Sequence, residues 1–256
     1  MNTTVDTFLQ MPIDLNGVMV PARSISNVFS RYVTNLVVHN DDPTFLLSLR
    51  GSATPIVFEG RYFLACCSHQ LKGIEYDRVA LLEEDGTHLV TSAGVRHFIT
   101  KTDSDYSDLA IFDFSEPCRE HPDLRRRFFP FRDIPPYAPN TDTIFLQVTG
   151  YPSSVQDYDV DEETKRLGFK KYKVICDLDG QPADPALMRL RAAEPLSIDP
   201  DGMSGGSAFT VQMVNGRPKA YLAGMTTRAG REHIHILKSG YIVSLLRAIL
   251  DGRREA

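Results

Sequence analysis

Ser204 is the residue whose surroundings most clearly suggest chemistry. It lies in the segment Asp199-Pro200-Asp201-Gly202-Met203-Ser204-Gly205-Gly206-Ser207, and a strand-like run follows at 208–211. The flanking glycines predict a tight, exposed bend. An exposed serine on such a bend predicts a nucleophile. Its hydroxyl can attack only when a neighbouring base removes its proton. The alternative is a glycine-rich hairpin loop that carries a serine by chance.

Gly202 and Ser204 could also stabilise the negative charge that forms when a serine attacks a carbonyl. Because Gly202 has no side chain, its backbone N–H and that of Ser204 can converge on one point. Two converging N–H groups are the usual donors to such an oxyanion. The sequence therefore predicts an oxyanion hole at these two residues.

Two further segments could supply the base and the group that orients it. His69 follows the apolar run 62–67, and Asp108 directly precedes the apolar run 109–112. The alternative for His69 is a histidine at a strand end whose ring is hydrogen-bonded by the backbone. The alternative for Asp108 is an acidic turn residue that faces water. Asp105 is the nearby competitor for the role of Asp108.

The order His69, Asp108, Ser204, together with Gly202-Met203-Ser204-Gly205-Gly206, resembles the chymotrypsin-like (trypsin-like) serine peptidases, and within them a bacterial-type intracellular member. The resemblance covers about Phe45 to Leu246. It implies a serine endopeptidase that hydrolyses peptide bonds through an acyl-enzyme. In it Ser204 would be the nucleophile, His69 the general base and Asp108 the orienting carboxylate.

The resemblance implies an all-β fold of two six-stranded antiparallel β-barrels with an N-terminal and a C-terminal helix. Short apolar runs separated by turns such as Glu59-Gly60 and Asp85-Gly86 also favour strands. We expect one peptidase domain, with an N-terminal segment at 1–43 and barrels at 44–115 and 141–238. A connection at 116–140 and a C-terminal helix and tail at 239–256 complete the chain.

Several residues differ from the family pattern. Met203 replaces an aspartate that pairs with a newly cut N-terminus, and no Ile-Val-Gly-Gly-like activation sequence occurs near the start. Ser207 replaces a proline, and Cys67-Ser68 replaces Ala-Ala before the histidine. These differences leave two alternatives open, a catalytically inactive homologue that binds peptides or proteins, and an intracellular peptidase that a regulatory protein partner switches on.

The resemblance places the first substrate pocket just before the serine and on the strand after it. Its predicted lining residues are Ile198, Thr226, Thr227 and Arg228. Ile198 is apolar where trypsins have an aspartate, so selectivity for Arg or Lys is not supported. Arg228 could attract an acidic side chain or face solvent, and the solvent reading is preferred.

Composition narrows the classes of partner. The 256 residues carry 42% hydrophobic and 24% charged residues, with a net charge of -5, which does not favour binding to nucleic acid. No apolar run is long enough to cross a membrane, and no secretory signal is evident at 1–17, so a cytoplasmic protein is expected. The partners expected are a protein or peptide substrate, without a cofactor or a metal.

Two other groups of residues, a pair of histidines and a pair of cysteines, have simple structural explanations. His233-Ile234-His235 places two imidazoles on one strand face, but strand alternation explains that spacing better than a metal site. Cys66-Cys67 could be a redox pair or a nucleophile, yet adjacent strand residues face opposite sides, so buried packing is expected. The four cysteines lack the spacing of a disulfide framework.

Local patterns predict the remaining elements. Apolar residues from Ile25 to Leu36 follow helical spacing, with Ser24 as N-cap, and the helix should end before Asn40. The triplet Arg125-Arg126-Arg127 predicts a solvated interlobe surface rather than a docking patch. An acidic loop is expected at 157–165, and a C-terminal helix at 241–250 should be followed by a frayed tail at 251–256.

Overall fold

A computed structural model describes residues 10–42, 46–83, 86, 88–92, 94–98, 104–132, 134, 139–156 and 168–254. Sixteen strands and four helices lie within these residues. The strands are β1 Pro12–Leu15, β2 Val18–Pro21, β3 Thr34–His39, β4 Leu47–Phe58, β5 Arg61–Cys67, β6 Val79–Leu82, β7 Leu89–Thr91, β8 Arg96–Phe98, β9 Leu109–Asp113, β10 Phe129–Pro130, β11 Thr143–Gly150, β12 Tyr172–Gly180, β13 Leu187–Ala192, β14 Ser207–Val214, β15 Arg217–Ala229 and β16 His233–Lys238. The helices are α1 Ala22–Phe29, α2 Pro117–Glu120, α3 Pro122–Arg125 and α4 Ser239–Arg254.

The C-terminal half forms a closed barrel. Its strands pair in the order β14-β11-β12-β13-β16-β15, and β15 pairs with β14 to close the ring. These pairings are all antiparallel, and the hairpin β1–β2 adds to the outside of β15 through a parallel pairing of β1. Closure removes the exposed edges that an open sheet would present.

The N-terminal half forms a curled sheet in the order β7-β6-β3-β4-β5-β9-β8, and β10 pairs with β4 in parallel. Strand β5 lies between β4 and β9, and its residues 63–67 are buried, so that alternate residues enter two apolar clusters. Cys67 belongs to the cluster that reaches the second barrel, whereas Cys66 belongs to the cluster inside the curled sheet.

The predicted fold class is confirmed as a mostly β, two-lobed arrangement with a C-terminal helix. The second lobe is the closed six-stranded barrel, while the described strands of the first lobe curl without closing. Within the described residues, no helix combines the length and apolar composition that a membrane crossing requires.

The N-terminal helix is shorter than predicted. It spans Ala22–Phe29 with Pro21 as its N-cap, and 34–39 are strand β3 instead of helix. The prediction was wrong on both ends. The helix ends early because the residues after Tyr32, rich in β-branched side chains, favour extended backbone and pair with β4. The hairpin β1–β2 was not predicted, although Asn16-Gly17, both with positive φ, is the typical signal for its turn.

The C-terminal helix is longer than predicted. Helix α4 continues through Arg254, so residues 251–254 are helical rather than frayed. The predicted turn at Glu59-Gly60 is confirmed between β4 and β5, with Phe58 opposite Arg61. The acidic loop expected at 157–165 lies outside the described residues, as does Asp85 of the second predicted turn.

Candidate active site

His69 and Asp108 are in direct contact. Each lies in a short 3-10 helix at the end of a buried strand segment, Ser68–Leu71 after β5 and Asp105–Asp108 before β9. Because β5 and β9 are hydrogen-bonded neighbours, these two helices meet. His69 Nδ1 lies 2.8 Å from Asp108 Oδ2, and the backbone N–H of His69 donates to Asp108 Oδ1 at 3.0 Å.

This pair fixes the protonation pattern of the imidazole. An ionised carboxylate only accepts hydrogen bonds, so the Nδ1 atom of His69 carries the proton that Asp108 accepts. Nε2 is then the basic nitrogen of the neutral ring. The hydrogen bond that His69 donates to Asp108 raises the pKa of His69 above its usual value, against the opposing effect of partial burial.

Ser204 lies in the loop between β13 and β14, and its hydroxyl donates to the carbonyl oxygen of Thr227 at 3.0 Å. Within the described part of the chain, no hydrogen bond joins that hydroxyl to His69. The two segments are nevertheless linked, because the side chain of Gln70 donates from Nε2 to Ser204 O at 2.9 Å. The structure therefore brings the predicted nucleophile and base segments together, with the serine hydroxyl turned towards β15.

Some of the backbone N–H groups around Ser204 donate hydrogen bonds, and others do not. Met203 N donates to Pro200 O at 2.9 Å, Gly205 N to Thr226 O at 2.7 Å and Gly206 N to Met203 O at 3.0 Å. Among the described residues, the N–H groups of Gly202 and Ser204 have no acceptor. Both residues are half-buried, and their N–H groups are the two that the sequence predicts for an oxyanion hole.

The orientation of the Gly202 N–H follows from the turn that contains it. The bond from Met203 N to Pro200 O, with φ of +91° at Gly202, is typical of a type II turn. Ser153 N donates to Asp201 O at 2.7 Å and so fixes the Asp201–Gly202 peptide. Since the N–H of a trans peptide points away from its carbonyl, the Gly202 N–H points away from Ser153.

Two polar residues that the sequence analysis missed hold this loop in place. The amide of Gln70 donates to the carbonyls of Arg50, Ser52 and Ser204 and accepts from Cys67 N at 2.8 Å. The hydroxyl of Ser52 donates to Gly202 O at 2.7 Å and accepts from Tyr151 N at 2.8 Å. A glutamine after a histidine and a serine in a strand carry no spacing signal, so only the three-dimensional contacts identify them.

The glycines after Ser204 are required by close backbone contacts. A Cβ atom on Gly205 would lie 1.9 Å from Ser52 O, and one on Gly206 would lie 2.4 Å from Thr149 O. Gly205 also has a φ of +83°. The Gly-Gly pair therefore lets the nucleophile loop pack directly onto β4 and β11.

The predicted pocket residues lie in different environments. Thr226 and Thr227 are buried side chains of β15, and Thr227 donates through Oγ1 to His235 O at 3.3 Å. Ile198 is half-buried and packs against the core of the closed barrel. Arg228 forms an ion pair with Asp105, the competitor of Asp108. Asp105 is thereby engaged on β15, while Asp108 holds His69.

Cys67 adds a buried thiol beside the pair. Its Sγ donates to Thr226 O at 3.4 Å, and burial raises the pKa of this thiol well above its usual value. A protonated, fully buried thiol does not fit the nucleophile alternative. Its sulfur, a ring nitrogen of His69 and a carboxylate oxygen of Asp108 lie within 4.8 Å of one another, a set of types that can hold a metal.

Met203 is fully buried in the core of the closed barrel. Its sulfur lies so close to Gly150 that a Cβ there would be 2.9 Å away. An apolar side chain thus fills the position where the resemblance places an aspartate, and the loop needs no ion pair at this point.

Comparisons with known proteins identify the fold but not the activity. No protein-family model matches the sequence, and no curated protein matches it. Among solved structures, scabies mite inactivated protease paralogue S-I1 is similar, with 14% identity, a TM-score of 0.53 and coverage of 89% of this chain and 96% of that chain. Inactivated protease paralogue S-D1 of the same mite is similar too, with 12% identity, a TM-score of 0.50 and coverage of 89% and 94%. The likeness over almost the whole length, with the barrel and curled sheet described above, shows that this chain has the chymotrypsin-like fold.

Proposed function

We propose that this chain is a serine endopeptidase in which Ser204, His69 and Asp108 act as nucleophile, general base and orienting carboxylate. The observation that carries the proposal is the pair of unbonded N–H groups at Gly202 and Ser204, while the N–H groups of Met203, Gly205 and Gly206 beside them are bonded. A loop without a catalytic role would gain stability by pairing those donors. The His69–Asp108 hydrogen bond supplies the second part of the machinery.

The first chemical step needs a rotation of one side chain. Ser204 Oγ leaves Thr227 O, and its proton passes to Nε2 of His69 as the oxygen attacks the carbonyl carbon of a peptide bond. The imidazolium that forms is stabilised by the Asp108 carboxylate through Nδ1–H. The carbonyl π electrons move onto the oxygen, which accepts hydrogen bonds from Gly202 N and Ser204 N.

Collapse of this intermediate reforms the carbonyl and breaks the C–N bond, and His69 gives its proton to the departing amine. Water then repeats the sequence on the Ser204 ester, with His69 again as base, and releases the acid. Each oxyanion donor is worth about 3 to 4 kcal/mol in comparable sites. This term is available only while both N–H groups remain free for the substrate.

A second candidate function is a catalytically inactive homologue that binds peptides or proteins. The bond from Ser204 Oγ to Thr227 O, rather than to His69, favours it. The similar structures named above are inactivated paralogues by their own descriptions, which supports the same alternative. A peptidase that a protein partner switches on is the intermediate case, since the hydroxyl then turns to His69 only in the complex.

The cytoplasmic, bacterial-type setting is part of the same proposal. All four cysteines are buried thiols without disulfide partners, which supports a reducing compartment. A peptidase in such a compartment requires control, and a regulatory protein is the partner that this proposal assigns to it.

The test is labelling of the purified protein with a fluorophosphonate probe, which reacts only with an activated serine. We expect labelling of the wild type and its loss in Ser204→Ala and His69→Ala. Ser207→Ala is the matched control, because this serine lies in the same segment and its buried hydroxyl has no partner. Asp105→Asn should retain labelling, since Asp105 contacts Arg228 and not His69.

The outcomes separate the candidates. Labelling that survives Ser204→Ala would contradict the assignment of the nucleophile. A folded protein that is not labelled alone, but is labelled in cell extract, would indicate the partner-switched enzyme. Absence of labelling under both conditions would favour the binding protein. In an active enzyme Ser204→Ala should lower kcat by about 10⁶-fold, as in comparable triads.

A further inference from the structure

A cavity of about 310 Å³ is lined by residues of both lobes, and Ser204 is not among them. Asn35 and Glu83 contribute from the first lobe, Arg127 from the connection, and Tyr151, Phe169 and Lys171 from the second lobe. The volume falls in the range of pockets that hold small molecules. Neither His69 nor Asp108 lines it, so the cavity is distinct from the candidate active site.

Arg127 is the unusual residue of this cavity. Its side chain is only 5% exposed, whereas the sequence suggests a solvated triplet with Arg125 and Arg126. Nη1 donates to Leu82 O at 2.6 Å and Nη2 donates to the hydroxyl of Thr34, both uncharged acceptors. Nε is buried without any partner.

A buried guanidinium normally lies against a carboxylate. Within the described residues, no Asp or Glu forms an ion pair with Arg127, although proteins pair buried charges because an unpaired one is costly. A guanidinium has five N–H bonds, so the two bonds above leave three donors for another acceptor. In the part of the chain that the structure describes, the charge of Arg127 thus has no anionic partner.

The other charged groups of the wall do not supply that anion. Glu83 is bound by two histidines, through His121 Nδ1 at 3.2 Å and His88 Nδ1 at 3.5 Å. Lys171 adds a second positive charge, with Nζ donating to Ser30 O at 2.8 Å and lying 5.9 Å from the centre of the Tyr151 ring. Among the described lining residues there are therefore two cations and one carboxylate, which is already engaged.

We propose that this cavity binds a small oxyanion, the carboxylate or phosphate group of a ligand, with Arg127 as its principal contact. The planar guanidinium matches either group in a forked geometry, and Lys171 adds charge. The amide of Asn35 also lines the space, although its Oδ1 already accepts from Leu82 N at 3.0 Å. Phe169 and the Tyr151 ring would border the apolar part of the ligand.

The experiment is calorimetric titration of the intact protein with inorganic phosphate and, separately, with acetate, both at constant ionic strength maintained with chloride. We expect saturable binding of at least one anion, and the tighter one identifies the head group. Lys171→Gln should weaken that binding about tenfold or more because it removes a positive charge, and Arg127→Lys should do so because it removes the forked guanidinium contact. Lys171 is an exposed residue, so its variant tests the proposal even if Arg127→Lys fails to fold.

Two matched controls distinguish this site from a general effect of anions. Arg126→Gln removes the exposed neighbour of Arg127, and Lys173→Gln removes the exposed lysine two positions from Lys171. Both should bind the anion within about twofold of the wild type. Absence of saturable binding of either anion would overturn the proposal, as would equal affinity in Lys171→Gln and the wild type. These readouts do not depend on peptidase activity.

Discussion

The hydroxyl of Ser204 donates to the carbonyl oxygen of Thr227 at 3.0 Å, while Nδ1 of the His69 ring is hydrogen-bonded to Asp108. The two halves of the proposed machinery are therefore each ordered, yet no hydrogen bond joins the serine to the histidine. A joined triad would require the Ser204 hydroxyl to leave Thr227 O and donate to Nε2 of His69. The titration of His69 can report which arrangement exists in solution.

The pKa of His69 should depend on Asp108 and not on Ser204. Asp108→Asn removes the carboxylate that raises the pKa of His69, so the pKa should fall below that of the wild type. Ser204→Ala should leave it almost unchanged, because the hydroxyl contacts Thr227 O instead. NMR titration of the imidazole measures both. A shift in Ser204→Ala as large as that in Asp108→Asn would show that the serine contacts His69 in solution.

The rate of serine labelling should increase with pH. His69 acts as a base only when it is neutral. Because its pKa is raised above the usual value of 6.5, the ring becomes protonated at a higher pH than an ordinary histidine. Labelling should therefore decline as the pH falls through a midpoint above 6.5. In Asp108→Asn the midpoint should move down, and the plateau rate should fall by about 10⁴-fold. A midpoint that does not move in this variant would contradict the assigned role of Asp108.

Gln70→Leu should weaken both the fold and the site. The amide satisfies three carbonyl oxygens, including that of Ser204, and the residue is only 9% exposed. Leaving buried acceptors unpaired should lower the free energy of unfolding by about 2 kcal/mol. Urea denaturation measures the loss, and fluorophosphonate labelling measures the effect on the loop. Gln10→Leu, at an exposed position, is the control and should change neither quantity.

A comparison of Gly205→Ala with Gly216→Ala distinguishes the loss of stability caused by a backbone clash from the loss caused by conformational strain. Both glycines have positive φ, +83° and +74°, but a Cβ at Gly216 meets nothing within 4 Å. Gly216→Ala should therefore lose about 1 kcal/mol of stability. Gly205→Ala adds a clash with Ser52 O and should lose more than about 4 kcal/mol or fail to fold. Thermal denaturation compares them, and equal losses would contradict the close packing of the nucleophile loop on β4.

Local patterns in the sequence predicted much of the fold. The alternation of short apolar runs with Gly-containing turns predicted strands, and Glu59-Gly60 marked a turn that the structure confirms. The hairpin at Asn16-Gly17 carried the same signal and could have been predicted in the same way. The helix that begins at Ala22 was predicted to be too long, because residues that suit one face of a helix also suit a buried strand. Only pairing with β4 decided in favour of the strand.

The sequence by itself determined the residue types of the candidate site, since the small residues around Ser204 and the strand ends at His69 and Asp108 are local features. Contacts between distant segments decided the rest. The sequence predicts Asp108 as the partner of His69, and the tertiary structure places the two in contact. Only the tertiary structure paired Asp105 with Arg228, turned the Ser204 hydroxyl to Thr227, and selected Gln70 and Ser52 as supports. It also buried Arg127 while Arg125 and Arg126 remained on the surface. The physical reason is that hydrogen bonds and burial depend on which strands pair, and that pairing joins residues more than 100 positions apart.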